Sequence, residues 1–399
     1  MQESEYYQKN IKKFYLSSVF IGFGFFYIVI QSLYLRGSFL SFGQIGLLVS
    51  STLITTLLLQ IPTGHFADLF GKKKSVLIST FVKFLAILFI ISAHNFYGFL
   101  IGFIFFGIGS AFSSGANSSL LYQSLSKMGQ KETYLNHRGR MESLYLIGDI
   151  GASAFAPFLF SVNARVPYFV ALAALFLAFL VQLSLYEKKE VIGQKKPNLR
   201  EKLLSAAKNR ETIFFIILSG ILFVVITFFA NVVQSPLFVE VKHFTLSQFS
   251  LLGLISSFLL VLSISFISTA ERKLGVKKSL LLMITIIPLS LLSMTLVTNL
   301  YALALILSIY LIATSFGEIV IENYIHMRID DSNRATILSL NSMFSSLFAF
   351  LLIPLLGTLV DSTSLSSGII FCAVGLFFIS GILIFLNRSK IFATDSRIA

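Results

Sequence analysis

Long apolar runs separated by short polar gaps make up nearly the whole of this chain. Twelve such runs fall near 14–35, 45–66, 75–93, 96–123, 141–163, 166–186, 212–235, 248–270, 279–298, 300–324, 336–360 and 368–387. Each approaches or exceeds the roughly 20 residues that an α-helix needs to cross the hydrocarbon core of a bilayer. The pattern therefore predicts an all-α membrane protein with twelve transmembrane helices. The gaps leave no room for a separate soluble domain. The longest of them, 187–211, divides the runs six and six, giving an N-terminal bundle over 1–186 and a C-terminal bundle with a short tail over 212–399. Within this connection Leu199, Leu203, Leu204 and Ala207 share one helical face. That spacing suits a short helix lying on the membrane surface, and a solvated tether equally well. The first run is too long for a cleavable signal and no small-residue cleavage site follows it, so it is expected to be a true first span.

Composition excludes the soluble alternatives. Of 399 residues, 56% are hydrophobic and 12% charged, with a mean hydropathy of +0.85. A net charge of +13 would suit a nucleic-acid partner, but its distribution argues against one. With the N-terminus in the cytoplasm, 27 of the 31 Lys and Arg residues fall on the cytoplasmic side. Arg36, Arg165 and Lys242 fall on the other side, and Lys83 lies inside a span. Such an excess of basic residues in cytoplasmic loops is what orients membrane helices during insertion. It places both termini and the 187–211 connection in the cytoplasm and makes the lipid bilayer the partner of the basic charge. A cell membrane, multi-pass location follows. Cys372 is the single cysteine, so no intrachain disulfide can form, and His65, His94, His137, His243 and His326 have no metal-ligand spacing. No phosphate-binding loop of the G-x-x-x-x-G-K-[ST] form and no nucleophile–base arrangement occurs. Neither a cofactor nor a metal is expected, and the chain is not expected to be an enzyme.

The chain also repeats itself. A shift of 204 residues lays 268–281 on 64–77, with Gly71, Lys73, Lys74, Ser75 and Leu77 matching Gly275, Lys277, Lys278, Ser279 and Leu281. A second echo, shifted by 196, places Arg334 on Arg138 and Ser339 on Ser143. Two six-helix halves related by a parallel repeat are one of the recurrent architectures of secondary transporters.

Between the second and third runs stands Gly64-His65-Phe66-Ala67-Asp68-Leu69-Phe70-Gly71-Lys72-Lys73-Lys74. This resembles the loop between helices 2 and 3 of the major facilitator superfamily, of the form G-x-x-x-D-x-x-G-[RK]-[RK]-[RK]. Three further stretches resemble bacterial, drug-exporter-like members of that family: Gln60-Ile61-Pro62-Thr63-Gly64, the run from Ser113 to Leu125, and Asn333-Arg334-Ala335-Thr336-Ile337-Leu338-Ser339-Leu340. A worn form of the antiporter signature runs through the fifth span as Ser143, Ala152, Ala156, Pro157, Phe160 and Ser161, and Phe103 stands where many proton-coupled exporters have an arginine. The resemblance covers nearly the whole chain and implies the major facilitator fold. It also implies a conformational latch built from Gly64, Asp68, Gly71, Lys72, Lys73 and Arg334. Asp68 would face the N-terminus of the eleventh helix, where free N–H groups and the helix dipole favour an acid, and Arg334 would add a charged partner.

Ionisable groups inside spans are costly and mark function. Glu318 and Glu322, one turn apart in the tenth span, and Asp149 in the fifth are the candidate proton-coupling groups. For Asp149 a structural ion pair with Lys83 is an equal alternative, and for Lys83 pairing or snorkelling is the expected role. Gln31, Gln60, Asn117, Asn231, Gln234 and Asn341 are the candidate lining of a substrate cavity. The alternative for several of them is helix-to-helix hydrogen bonding. With 43 Phe, 14 Tyr and no Trp, such a cavity would suit an amphipathic solute. Three functions remain: a monomeric exporter of amphipathic compounds (drugs, antibiotics, siderophores) driven by the proton motive force, an importer or facilitator of a small metabolite, and a non-transporting sensor on the same scaffold. Sugar importers are expected to carry tryptophan, and peptide or anion porters an arginine inside a span. The absence of both by this reading puts the exporter first.

Overall fold

The structure is a computed structural model, and it describes residues 2–188, 210–327 and 334–392. Among these, twelve helical segments are long and apolar enough to cross a membrane. The connection around 189–209, with its proposed surface helix, lies outside the described residues. The first span is not one helix. It runs Gln2–Phe23, breaks over 24–27, passes through a 3₁₀ turn at Ile28–Ile30 and resumes as Gln31–Gly37. The fourth is broken too, into Phe96–Ser113 and Ala116–Lys127 at Gly115, whose φ is +78°. The seventh begins as Arg210–Phe228 and ends in two π-helical turns, Phe229–Val233 and Leu237–Val241.

The turn between the second and third spans is tighter than the polar gap suggests. Helix Phe42–Phe70 is followed directly by helix Lys72–Ser92, and Gly71 alone, with φ +106°, reverses the chain. Positive φ strains any residue with a Cβ, so this glycine is required. Gly64 is not part of the reversal. It lies inside the helix, with open space where a Cβ would stand. At the matching point of the repeat, Gly275 (φ 67°) breaks the helical stretch Leu246–Leu296 into the eighth and ninth spans. The repeat read from sequence is thus a repeat of backbone geometry as well.

The residues form two compact units, one comprising Met1–Leu40 with Leu47–Gln194, the other Ser41–Gly46 with Lys195–Ala399. In the first unit the first span packs on the fifth and sixth, and the third on the fourth and sixth. In the second unit the seventh span packs on the eleventh and twelfth, and the eighth–ninth stretch on the tenth and twelfth. The two internal arrangements match. Residues 41–46 join the second unit because the Asp361 carboxylate accepts the backbone N–H groups of Phe42 and Gly43, each at 2.8 Å. Gly357 allows the close approach, since a Cβ there would meet the Phe42 carbonyl at 2.4 Å.

Packing inside each unit follows membrane rules, with small residues and hydrogen bonds between helices. Tyr168 stacks on Tyr27 and lies against Tyr34, with ring centroids 4.8 and 4.5 Å away. Gln182 ties three spans of the first unit together. Its Oε1 accepts from Thr80 Oγ1 at 2.7 Å, and its Nε2 donates to Ser17 Oγ at 2.9 Å. Glu187, just past the sixth span, receives the Lys72 N–H at 2.9 Å and the Lys73 N–H at 2.8 Å, and so caps the third span.

Candidate functional site

Each unit encloses a cavity with polar side chains. In the first unit the break in the first span turns Phe25 inward, and Ile21, Phe25, Lys83, Ser113, Asn117 and Arg138 line a cavity of about 230 Å³ together with Phe14, Ser17, Ser18, Met141, Glu142, Tyr145 and Leu175. Arg138 forms an ion pair with Glu142 one turn on and donates to Ser118 Oγ at 2.9 Å. The Lys83 ammonium reaches Ser113 Oγ at 3.3 Å and lies over the rings of Phe25 and Phe106, at 5.8 and 5.7 Å from their centroids. Lys83 is only 8% exposed, so it does not snorkel. Among the described residues no carboxylate lies within ion-pair distance of it. The side chain of Asp149, its expected partner, lies outside those described.

In the second unit Ser219, Leu222, Phe223, Glu318, Ile321, Glu322 and Asn341 line a cavity of about 390 Å³. Glu318 and Glu322 are one helical turn apart and both open onto it. Asn341, from the eleventh span, keeps a buried Oδ1 with no hydrogen-bond partner. The cavity thus holds two carboxyl groups and an amide oxygen that lacks a donor. Among the described residues no group of three or more His, Cys, Asp or Glu could hold a metal ion.

The remaining sequence candidates are dispersed. Asn117 and Asn341 reach cavities, but different ones. Gln60 bonds Ser114 Oγ at 3.0 Å and so joins the second span to the fourth. Asn231 donates to the Thr227 carbonyl at 3.0 Å from within the π-helical turn Phe229–Val233, and Gln234, half-buried, follows directly after that turn. Gln31 is buried at the start of its short helix. Of the proposed latch, Asp68 is exposed on the last turn of its helix, and the side chain of Arg334 lies outside the described residues. Arg138, counted from sequence as a cytoplasmic charge, stands near the start of helix Tyr134–Val162, ahead of the apolar run at 141–163, and lines the first cavity. Glu187 was read as linker and is a helix cap.

Comparison with known proteins gives the same architecture. The family model described as Major Facilitator Superfamily matches residues 14–317. An uncharacterized transporter of Buchnera aphidicola subsp. Acyrthosiphon pisum (strain APS) is 26% identical over 313 residues, covering 75% of this chain and 76% of the relative. Among solved structures, the nucleoside transporter NupG superposes with a TM-score of 0.78 at 16% identity, over 96% of this chain and 99% of its own. A bacterial homolog to the human lysosomal transporter Spinster superposes with a TM-score of 0.71 at 15% identity, over 98% of each chain.

Proposed function

The chain belongs to the Major Facilitator Superfamily, and from that premise we propose proton-driven secondary transport in which Glu318 is the coupling group and an amphipathic small molecule is expelled. One observation carries this reading. Glu318 opens into a cavity of the second unit that Asn341 also lines, and the Asn341 carboxamide oxygen has no hydrogen-bond partner. Protonation of Glu318 would place an O–H donor in that cavity and remove a charge at the same time. Both changes alter the free energy of that cavity, and a ligand or proton can shift a conformational equilibrium only through such a difference. Glu322, one turn towards the end of the helix, opens onto the same cavity.

Import or facilitated passage of a small metabolite is the alternative direction. It draws support from the polar lining of the first unit's cavity, where Asn117, Arg138, Glu142 and Tyr145 stand. Proteoliposomes loaded with a pH-sensitive dye separate the two. Amphipathic cations, neutral compounds and organic acids are presented under an imposed pH gradient, and proton flux is read on addition of each. Glu318→Gln should abolish uphill movement while leaving downhill exchange, because the proton-free steps survive. A Glu318→Gln protein that still drives a solute against its gradient would refute the assignment.

A further inference from the structure

Lys83 is a charge that the coupling scheme does not use. It sits in the middle of helix Lys72–Ser92 with nine-tenths of its surface covered. An ammonium carries three N–H donors, and Ser113 Oγ, at a long 3.3 Å, is the described acceptor. Among the described residues Lys83 has no carboxylate partner, and burying a cation without one is unfavourable. The fold has an apolar solution for the same place, because the repeat carries Lys83 onto Ile287, 204 residues on, which is fully buried. The facing residue is Gly109, where a Cβ would come within 2.7 Å of Lys83 Cγ and 2.9 Å of the Ser79 carbonyl oxygen, so the two helices approach closely beside the lysine stem.

What the arrangement does provide is a cationic point in an otherwise amphipathic cavity. Arg138 is matched by Glu142, so among the described lining residues Lys83 supplies the net charge. Asn117 offers a neutral amide donor, and Phe14, Ile21 and Leu175 offer apolar wall. We propose that this cavity of the first unit binds the carboxylate group of an amphipathic organic acid, held by the Lys83 ammonium with its apolar part against that wall. The inference rests on the reading of the chain as a transporter of amphipathic solutes, and gives the solute its charge. In a site so covered the cation–anion attraction is much less screened than at a protein surface.

The test is equilibrium binding to the full chain in lipid nanodiscs, with no gradient present, so it is independent of whether Glu318 couples. Melting temperature and isothermal titration are recorded with benzoate, phenylacetate and octanoate, with the amide of each, and with inorganic phosphate. The acids should bind at least tenfold more tightly than their amides. Lys83→Met should remove that preference, Lys83→Arg should keep most of it, and ligand-free Lys83→Met should melt no lower than the native protein. Acids no tighter than amides, or a preference that survives in Lys83→Met, would overturn the site. A ligand-free Lys83→Met protein that melts lower, rescued by Lys83→Arg, would make Lys83 structural. Phosphate binding that matches the acids and is lost in Lys83→Met would overturn the organic-acid class and leave a simple anion site. Acid binding as expected with failed Glu318 coupling would refute the coupling reading alone.

Discussion

Replacing Glu187 tests how the start of the third span is held in the first unit. Its two carboxylate oxygens accept the first backbone N–H groups of helix Lys72–Ser92, at 2.9 and 2.8 Å. Those groups have no partner inside the helix, and a negative charge there also meets the positive end of the helix dipole. Loss of a capping side chain costs about 0.5–2 kcal/mol, typically near 1. The charge–dipole part adds about 0.3–1 kcal/mol for a half-buried group. The positive charge of Lys72, Lys73 and Lys74, left less compensated in the variant, acts in the same direction. Glu187→Ala should therefore lose about 1–2 kcal/mol, and Glu187→Gln, which keeps one acceptor oxygen but no charge, about half as much. For a cooperative unit of 150–250 residues each kcal/mol is worth roughly 2–4 °C, so Glu187→Ala should melt about 2–8 °C lower. The assay is thermal unfolding of purified protein followed by size-exclusion recovery, at low and high salt. High salt should shrink the Glu187→Gln deficit, because that variant differs mainly in charge. A Glu187→Ala protein that melts within half a degree of the native one would refute the capping argument, whatever the hydrogen-bond distances.

Gly71→Ala acts on the same corner by a different route. Its φ of +106° disfavours any Cβ, and that Cβ would stand 2.9 Å from Glu187 Oε2. The backbone strain alone is worth about 1–3 kcal/mol, so Gly71→Ala should destabilise at least as much as Glu187→Ala. The double variant should fall short of the sum, because one change already disrupts the cap of the other. A fully additive double-mutant cycle would separate the two effects and sink the coupling. In the second unit, Asp361→Ala removes the acceptor of the Phe42 and Gly43 N–H groups. Asp361 is solvent-exposed, so its charge is largely screened and the expected loss is about 1 kcal/mol. Amide exchange at Phe42 and Gly43 should rise in step, and unchanged exchange there would contradict the clasp.

The fold was legible because its causes are local and repetitive. Twenty-residue apolar runs, the clustering of basic residues in alternate gaps and the echo of Gly71 in Gly275 depend on the chain alone. The breaks were not legible. Nothing in Gly24-Phe25-Phe26-Tyr27 distinguishes it from other Phe-rich stretches, yet there the first span loses its helix and brings Phe25 to the cavity. Side-chain hydrogen bonds across long separations were equally hidden. Gln60 reads as a cavity residue until Ser114 is seen opposite it. Glu187 reads as linker until the chain returns it to the third span.

Lys83 shows why a charge inside a span is hard to assign from sequence, and what resolves it. Sequence supplies two cheap fates for a buried lysine, a carboxylate partner or an escape to the membrane surface, and both were expected here. Its position near the middle of helix Lys72–Ser92 and its burial remove the second. Its described neighbours are a hydroxyl and two rings, which satisfy an ammonium poorly. The repeat then acts as an internal control that a single chain rarely offers. The same position in the second unit is Ile287, packed and fully buried, so the architecture is stable without the charge. A residue whose counterpart in the repeat is apolar, and which lines a cavity of its own unit, has its proposed cause in what that cavity receives.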